Sequence, residues 1–358
     1  MLPSRSGMGS RRNLFGSATV SPFMTAPPFS WIRPEPWGIH IVPADAWVDP
    51  SRPVPRALVT HGHADHARGG HGITIATPAT LAIMELRYQT RDGASAVEYG
   101  ESIDIGGGVR ATYLPAGHVL GSAQILLEHA GERVIITGDY KRAPDPTCAP
   151  FAVTPCDIFI TEATFGLPVF THPPIAEEIA KLLEARAENP DSCILVGAYA
   201  LGKAQRVIAE LRAAGHSDTI WLHGAMEAMC RLYEAHGVAL GDLRLVSDAT
   251  KDQMRGSIVL APPSALNDRW SRRLPEPVTA MASGWMRVRQ RARQRGVELP
   301  LVISDHADWH ELTRTIAEVN PQETWITHGR EEALLRWCEL SQRRARALAL
   351  VGYEDEDD

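Results

Sequence analysis

The residues with the clearest capacity for chemistry lie in one short stretch, Thr60–His66, whose sequence is THGHADH. The stretch follows the apolar run Ala57–Val59, which is typical of a buried strand. Three histidines and one aspartate therefore leave the end of a strand together: His61, His63, Asp65 and His66. Imidazole nitrogens and carboxylate oxygens are ligands that zinc and similar divalent ions accept. The stretch predicts a metal site.

Three more residues of these kinds follow predicted strands elsewhere in the chain: His118, Asp139 and His328. A single histidine or aspartate after a strand is more often a turn or capping residue than a metal ligand. Strand ends along one edge of a sheet converge, however, and loops held by a rigid sheet often carry functional side chains. We therefore expect these three residues to join the first cluster.

The pattern of elements changes twice along the chain. From about residue 54 to 165, short β-type runs alternate with turns rich in glycine and proline. From about 166 to 300, strand and helix patterns alternate, as in Ser192–Val196 followed by Lys203–Ala214, which favours a parallel sheet. Two further predicted strands then return the chain to the first domain: Leu301–Ile303 and Thr324–Ile326. The sequence predicts one domain inserted into another.

Composition excludes several classes of protein. Hydrophobic residues make up 44% of the 358 residues and charged residues 22%, as in globular proteins. No apolar run reaches the roughly 18 residues of a membrane helix. The five cysteines are scattered and form no CxxC pair, so we expect neither a disulfide framework nor a thiolate zinc site. A reducing cytoplasm fits this pattern best.

Charge is distributed unevenly around a net value of −7. The last five residues are all acidic, whereas eight arginines and a single acid, Glu276, lie between Arg269 and Arg295. Such a basic strip is most often a solvated helix face. A strip of this composition can also bind along a nucleic-acid backbone, and the affinity would then fall steeply as the salt concentration rises.

The HxHxDH motif, followed by a separate histidine and a separate aspartate, resembles the signature of the metallo-β-lactamase superfamily. The resemblance implies an α/β fold, an αββα sandwich with two divalent metal ions at one edge. It assigns His61, His63 and His118 to one ion, Asp65 and His66 to the other, and Asp139 to a bridging position. The superfamily includes β-lactamases, glyoxalases, lactonases and nucleases, so the motif alone selects no substrate.

The second half of the chain resembles the β-CASP nucleases, which carry an inserted α/β domain. Glu162 occupies the acidic motif of that branch and His306 its next motif, Ser304–Asp308. His328, in Thr327–Gly329, matches the last motif of the RNA-processing members, where this histidine binds the second metal ion. The resemblance covers about residues 40–345.

The resemblance also divides the chain into five segments. We expect a flexible extension over residues 1–35 and an acidic tail over 351–358. Between them lie the first part of a metallo-β-lactamase domain over 36–165, an inserted β-CASP domain over 166–300, and the C-terminal part of the first domain over 301–350.

Three segments, Pro115–Gln124, Gly138–Arg142 and Thr161–Pro168, are similar to the bacterial ligase-associated DNA exonucleases. These proteins accompany an ATP-dependent DNA ligase and a helicase. The resemblance implies a DNA exonuclease of a repair system, with nucleic acid, a ligase and a helicase as partners and no membrane.

The expected reaction is phosphodiester hydrolysis by a hydroxide held between two divalent ions, which also neutralise the charge that develops on the phosphate. Zn²⁺ is the expected metal, although histidine and aspartate also accept Mn²⁺ or Fe²⁺. Asp65, Glu162 and His306 are the predicted catalytic residues. His306 would protonate the leaving oxygen, and Glu162 would orient His306.

Three cationic residues are predicted to contact phosphate groups. Lys203 lies at the start of a predicted helix, where backbone N–H groups favour anions. Arg287 and Arg289 belong to the basic strip. The alternative for Lys203 is an exposed surface lysine.

Other functions remain open at this stage. A β-CASP ribonuclease fits the same motifs, because sugar preference depends on contacts to the 2′-hydroxyl that no motif reveals. A hydrolase of small molecules fits the metal motif but not the inserted domain and the arginine strip. An inactive scaffold would be expected to lack ligands, and this chain keeps all seven.

Overall fold

The computed structural model describes residues 29–89, 93–294 and 296–348. Its strands form three sheets. In these ranges no helix has both the length and the apolar character needed to cross a membrane. The acidic tail and residues 1–28 of the predicted extension lie outside the described residues.

The first sheet has six strands that follow one another in chain order. They are β1 (Ile32–Glu35), β2 (Gly38–Ile41), β3 (Ala46–Val48), β4 (Arg56–Leu58), β5 (Ile73–Ala76) and β6 (Ala94–Ala96). The first three pair antiparallel and the remaining pairs are parallel.

Strand β1 corrects the predicted extension over residues 1–35. Residues Ile32–Glu35 pair antiparallel with β2 and bury Ile32. The strand is hard to read from sequence because Pro34 interrupts it, and proline is tolerated in a strand at the edge of a sheet.

The second sheet contains seven strands in the order β19-β18-β11-β10-β9-β8-β7. They are β7 (Ser102–Gly106), β8 (Val109–Pro115), β9 (Ala123–His129), β10 (Glu132–Ile136), β11 (Ile158–Ala163), β18 (Glu323–Gly329) and β19 (Ala345–Ala347). Strands β10, β11, β18 and β19 are parallel, so their carboxyl ends meet at one edge of the sheet.

The alternating directions of the side chains along a strand show how the first two sheets pack. In β11, Ile160 faces Ile39 and Val48 of the first sheet across a small cavity of about 10 Å³. Its neighbour Phe159 points the other way and packs with Ile316. Each sheet therefore has one face on its partner and one face covered by helices, because successive side chains of a strand point to opposite faces.

The third sheet is entirely parallel and has the order β14-β13-β15-β12-β16-β17. Its strands are β12 (Ile194–Gly197), β13 (Ile220–Leu222), β14 (Leu243–Leu245), β15 (Ile258–Ala261), β16 (Val278–Ala282) and β17 (Leu299–Leu301). The predicted strand Leu301–Ile303 was wrong in both position and partner. Residues Leu299–Leu301 pair with β16 at the edge of this third sheet, and the chain leaves it only afterwards.

Helices cover the sheets on their outer faces. They are α1 (Pro78–Tyr88), α2 (Ile175–Glu188), α3 (Lys203–Ala213), α4 (Gly224–Ala235), α5 (Arg289–Gln294), α6 (Trp309–Val319) and α7 (Glu331–Leu340). Helix α1 packs on the first sheet through Met84, and α6 and α7 pack on the second through Leu312 and Leu334. The predicted α/β fold class, an αββα sandwich with an additional α/β layer from the middle of the chain, is confirmed.

Candidate metal centre and active site

The predicted ligands follow strand ends on both sheets of the sandwich. The THGHADH stretch follows β4, and a hydrogen bond from Ala123 N to Thr60 O joins it to the second sheet. Asp139 follows β10, and Glu162 and His328 lie near the ends of β11 and β18. Because these three strands are parallel, their terminal side chains lie along one edge.

Three imidazoles direct ring nitrogens at one point. His61 Nε2 lies 3.1 Å from His63 Nδ1, and His118 Nε2 lies 3.0 Å from the same atom. All three rings are buried. Ligand atoms of His61, His63, His118 and Asp139 lie within 4.8 Å of one another, which is the spacing of donors around one cation.

A chain of hydrogen bonds from Asp49 fixes the tautomer of His61. Asp49 Oδ2 accepts the hydroxyl hydrogen of Thr60 at 2.6 Å. The Thr60 oxygen must then accept from His61 Nδ1, 3.0 Å away, because its only hydrogen is already donated. His61 consequently presents the lone pair of Nε2 to the other imidazoles.

Backbone carbonyls fix the other two rings in the same way. His63 Nε2 lies 3.4 Å from Leu201 O, and His118 Nδ1 lies 2.7 Å from Asp305 O. A carbonyl can only accept, so both of these nitrogens carry hydrogens. The lone pairs of His63 Nδ1 and His118 Nε2 therefore also face the common point.

A second group of donors adjoins the first. His66 Nδ1 donates to Asp49 Oδ2 at 2.8 Å, which turns His66 Nε2 toward Asp65 Oδ2 at 3.4 Å. The His328 ring lies beside the His66 ring, with centroids 5.3 Å apart. Asp139 Oδ2 lies between the groups, 3.4 Å from His61 Nε2, 3.5 Å from His66 Nε2 and 3.8 Å from His118 Nε2.

The electrostatics of the site divide its histidines into two kinds. Burial lowers the pKa of His61 and His118, and it lowers the pKa of His328 to about 4. Burial acts in the same sense on His66, but the carboxylates of Asp65, Asp139 and Asp49 overcome it and raise the pKa of His66 to about 10. His66 is thus the imidazole from which a metal ion must displace a proton.

His306 and Glu162 form a hydrogen-bonded pair beside the imidazole cluster. Glu162 Oε2 lies 3.0 Å from His306 Nδ1, and Glu162 Oε1 accepts from Tyr140 N at 2.7 Å. The pair is buried, and ligand-type atoms of Asp139, Glu162 and His306 lie within 4.8 Å of one another. The catalytic roles of these two residues stay predictions.

A cavity of about 50 Å³ opens onto Asp65, Asp139 and His306. Segments that follow the carboxyl ends of the third sheet contribute to its wall, including Tyr199, Lys203, Ser283, Trp285 and Ser304. Ligands bind at this end of the strands in open parallel α/β sheets. The wall of the cavity is therefore shared between the sandwich and the third sheet.

The three predicted phosphate contacts fall in different places. Lys203 is buried rather than exposed at the surface, and its Nζ lies 2.9 Å from Asp305 Oδ2 in the wall of the cavity. Arg287 is exposed, does not line the cavity, and donates to Thr171 Oγ1 at 3.3 Å. Arg289 begins α5, but its side chain lies outside the described residues.

The donor set fits divalent ions. Three imidazoles, those of His61, His63 and His118, present lone pairs to one point, and Asp139 supplies a carboxylate oxygen between them and His66. This mixture of nitrogen and oxygen donors suits Zn²⁺ and related metals, and hydrogen-bonded partners that orient ligating histidines are typical of metal sites. The sequence interpretation missed Asp49, although its position one residue after β3 is the same post-strand signal that drew attention to Asp139.

Comparison with known proteins agrees with this geometry. A sequence-family profile described as "Metallo-beta-lactamase superfamily" matches residues 30–197. A solved structure from Enterococcus faecalis V583, titled as a protein of unknown function, superposes with a TM-score of 0.52 at 15% identity. The superposition covers 75% of this chain and 74% of that one. It supports the fold and carries no information on activity.

Two curated relatives are nucleic-acid proteins by name. A probable DNA ligase of Opitutus terrae is 30% identical over 315 residues, 84% of this chain and 30% of its own length. An endoribonuclease ysh1 of Aspergillus fumigatus is 36% identical over 131 residues, 34% of this chain and 15% of its own length. The chain thus spans less than a third of either relative.

Replacement of Asp49 is expected to weaken metal binding without touching a ligand. In Asp49→Asn one carboxylate oxygen becomes an NH2 group, which donates and cannot accept. The remaining oxygen cannot satisfy Thr60 N, Thr60 Oγ1 and His66 Nδ1 together, so the orientation of His61 and His66 is lost. We expect the affinity for Zn²⁺ to fall about 10- to 100-fold, measured by competition with a chelator. Asp45→Asn, an exposed aspartate nearby, is the matched control. Equal affinities in the two variants would contradict the role given to Asp49.

Metal binding is expected to release a proton. Because the pKa of His66 is raised to about 10, its ring is protonated at pH 8 in the metal-free protein and must become neutral when it binds a cation. We expect at least one proton to leave per chain at pH 8, because His66 loses one, and one fewer once the pH is above 10. Titration calorimetry with Zn²⁺ in two buffers of different ionisation enthalpy measures the number. A value of zero at pH 8 would disprove the assignment.

Proposed function

Because residues 30–197 match the profile of the metallo-β-lactamase superfamily, we propose that this protein is a metal-dependent nuclease, and more narrowly a DNA exonuclease. The observation that carries the proposal is a cavity whose lining brings Asp65, His66, Asp139 and His328 together with His306 and Lys203. The His61, His63 and His118 group adjoins this lining through Asp139, and Glu162 through its hydrogen bond with His306. Phosphodiester hydrolysis needs these three functions together: cations at the phosphate, a proton donor for the leaving oxygen and further positive charge.

Seven residues would hold two divalent ions, which we propose are Zn²⁺ or, as a second choice, Mn²⁺. His61, His63 and His118 form one group, Asp65, His66 and His328 the other, and Asp139 lies between them. When bound, such ions supply a nucleophile from water near neutral pH and neutralise charge on the phosphate. The hydrogen bonds from Asp49, Leu201 and Asp305 keep the imidazoles in the tautomers that this arrangement requires.

His306 is the proposed proton donor, and Asp65 and Glu162 are the other proposed catalytic residues. Glu162 accepts from His306 Nδ1, which turns the Nε2 side of the ring away from Glu162, and the ring lines the cavity. The carboxylate of Glu162 is itself held by Tyr140 N, so the orientation of His306 rests on backbone. Lys203, in the same wall, is proposed to contact a phosphate oxygen.

DNA is the preferred substrate class in this proposal because the similarity to the probable DNA ligase extends over 84% of the chain. A ribonuclease is the second candidate, supported by 36% identity with the endoribonuclease ysh1 over 34% of the chain. We also propose a DNA ligase and a helicase as partners. A reducing, cytoplasmic location is proposed on the ground that all five cysteines are free thiols.

End-labelled single-stranded DNA and RNA of matched sequence test the proposed function directly. With Mn²⁺ or Zn²⁺ added, we expect stepwise shortening of the DNA, and no cleavage by Asp139→Ala. Asp248→Asn, an exposed aspartate on the third-sheet segment (residues 194–301), serves as the control with full activity. Cleavage of RNA with DNA left intact would replace the exonuclease by the ribonuclease. Failure to cut either polymer by a metal-loaded protein would overturn the nuclease proposal.

The proton donor can be tested separately from metal binding. We expect His306→Gln to lower the rate of cleavage by about 10²- to 10⁴-fold while Zn²⁺ content stays unchanged. His310→Gln, an exposed histidine four residues away, should keep its rate. Rates within a factor of three of each other for the two variants would remove His306 from the mechanism.

The basic strip predicts a salt dependence of DNA binding. Arg272 and Arg273 are exposed, and among the described residues neither forms an ion pair with a carboxylate. We expect each change to glutamine to reduce the slope of log K against log salt by about 0.7, as for loss of one phosphate contact on single-stranded DNA. Fluorescence anisotropy with the Asp139→Ala protein measures this. Arg244→Gln is the control, because Arg244 is paired with Asp242. An unchanged slope in the strip variants would show that the basic strip faces solvent and does not contact DNA.

A further inference from the structure

Five charged side chains form a buried group between the metal donors and the third-sheet segment. We call it the Asp305 ion cluster, and its members are Lys141, Asp145, Lys203, Arg206 and Asp305. Lys141 Nζ lies 2.7 Å from Asp145 Oδ2, and Lys203 Nζ lies 2.9 Å from Asp305 Oδ2. Each of these side chains is at most 5% exposed.

Arg206 connects the two halves of the cluster. Its Nε lies 3.4 Å from Asp145 Oδ2 and its Nη1 lies 3.5 Å from Asp305 Oδ1. The same Nη1 donates to the carbonyl oxygen of Ser304. This guanidinium is therefore hydrogen-bonded to the backbone before Asp305 and lies within ion-pair distance of the side chains of Asp145 and Asp305.

The cluster reaches two of the metal donors through backbone oxygens. The carbonyl of Asp305 is the acceptor for His118 Nδ1, and the carbonyl of Leu201, two residues before Lys203, is the acceptor for His63 Nε2. Lys141 Nζ also lies 3.4 Å from the carbonyl of His118 itself. Shifts of helix α3 or of residues 304–305 would thus move the acceptors that fix both imidazoles.

A contribution to folding stability does not by itself explain why five charged side chains are buried together. Transfer of five charges out of water is costly, and well-packed apolar side chains of similar volume often stabilise a protein as much or more. A group of ion pairs, two of them at 2.7 and 2.9 Å, does, by contrast, restrict the position of the backbone atoms next to it. The backbone at Ser304 and Asp305 needs to be held in this way, because the carbonyl of Asp305 accepts from His118 Nδ1.

We propose that the Asp305 ion cluster is a positioning device that couples helix α3 to the metal site by aiming the carbonyls of Leu201 and Asp305 at His63 and His118. The third-sheet segment then contributes to metal binding although it supplies no ligand of its own. The inference rests on the proposed metal site but not on the identity of the substrate.

The test compares two arginines on the same helix in the full-length protein. Arg206→Met removes the centre of the cluster. Arg212→Met removes an arginine that also makes several hydrogen bonds, to the carbonyls of Leu240, His216, Asp218 and Asp242, but does not reach the site. The readouts are the affinity for Zn²⁺ and the visible absorption spectrum of the Co²⁺-loaded protein, which reports ligand geometry. Thermal unfolding of the metal-free proteins records the loss of stability in each variant.

We expect Arg206→Met to bind Zn²⁺ at least 10-fold more weakly and to change the Co²⁺ spectrum, whereas Arg212→Met loses stability with both readouts at the wild-type value. Asp305→Asn should reproduce the effect of Arg206→Met, and Arg206→Lys, which keeps the charge, should restore part of the affinity. Wild-type affinity and spectrum in both Arg206→Met and Asp305→Asn would overturn the proposal and leave the cluster a structural element. The same holds if Arg206→Met raises only the KM for nucleic acid, because the cluster would then bind substrate.

Normal metal binding with no cleavage of DNA or RNA would count against the proposed nuclease and not against this inference, since neither readout depends on turnover. If Asp305→Asn fails to fold, Arg206→Met against Arg212→Met still decides the question.

Discussion

The structure of the site depends on one constraint, the fixed tautomers of buried imidazoles. A neutral histidine has one nitrogen that donates and one that accepts, and burial leaves neither to water. Three rings meet here, and each has its donor side satisfied by an oxygen on the outside of the cluster. Their acceptor sides are thereby forced together, and only a cation or a proton can satisfy them. The metal site is thus specified by the oxygens around it as much as by the ligands.

Those oxygens come from separate parts of the fold. Asp49 lies after β3 in the first sheet, Leu201 precedes α3 on the third-sheet segment, and Asp305 follows β17 where the chain returns to the sandwich. A domain that contained only the two sandwich sheets would keep every candidate ligand but would lose the oxygens that accept from His63 and His118. The middle of the chain is therefore part of the metal site, not only a cover above it.

The clustering of the candidate ligands could be predicted from sequence because their signal is local: residue types and spacing within six positions, or one residue type after an apolar run. The α/β fold class and helix α3 followed from hydrophobic periodicity for the same reason. The orienting contacts could not be predicted. His63 and Leu201 are 138 residues apart, and His118 and Asp305 are 187 apart. The burial of Lys203 could not be predicted either, because its ion-pair partner Asp305 is brought near only by the tertiary fold.

The distinction between candidate ligands and the residues around them also matters for substrate choice. In the proposed mechanism, the metal ions and the His306–Glu162 pair would act on the phosphate and the leaving oxygen. DNA and RNA share these groups, so this machinery would not distinguish a ribose from a deoxyribose. Discrimination has to come from cavity walls that are not ligands. In the described part of the chain, much of that wall, including Tyr199, Ser283 and Trp285, follows strands of the third sheet. If the proposed function is correct, the segment that orients two ligands also carries the contacts on which sugar preference depends.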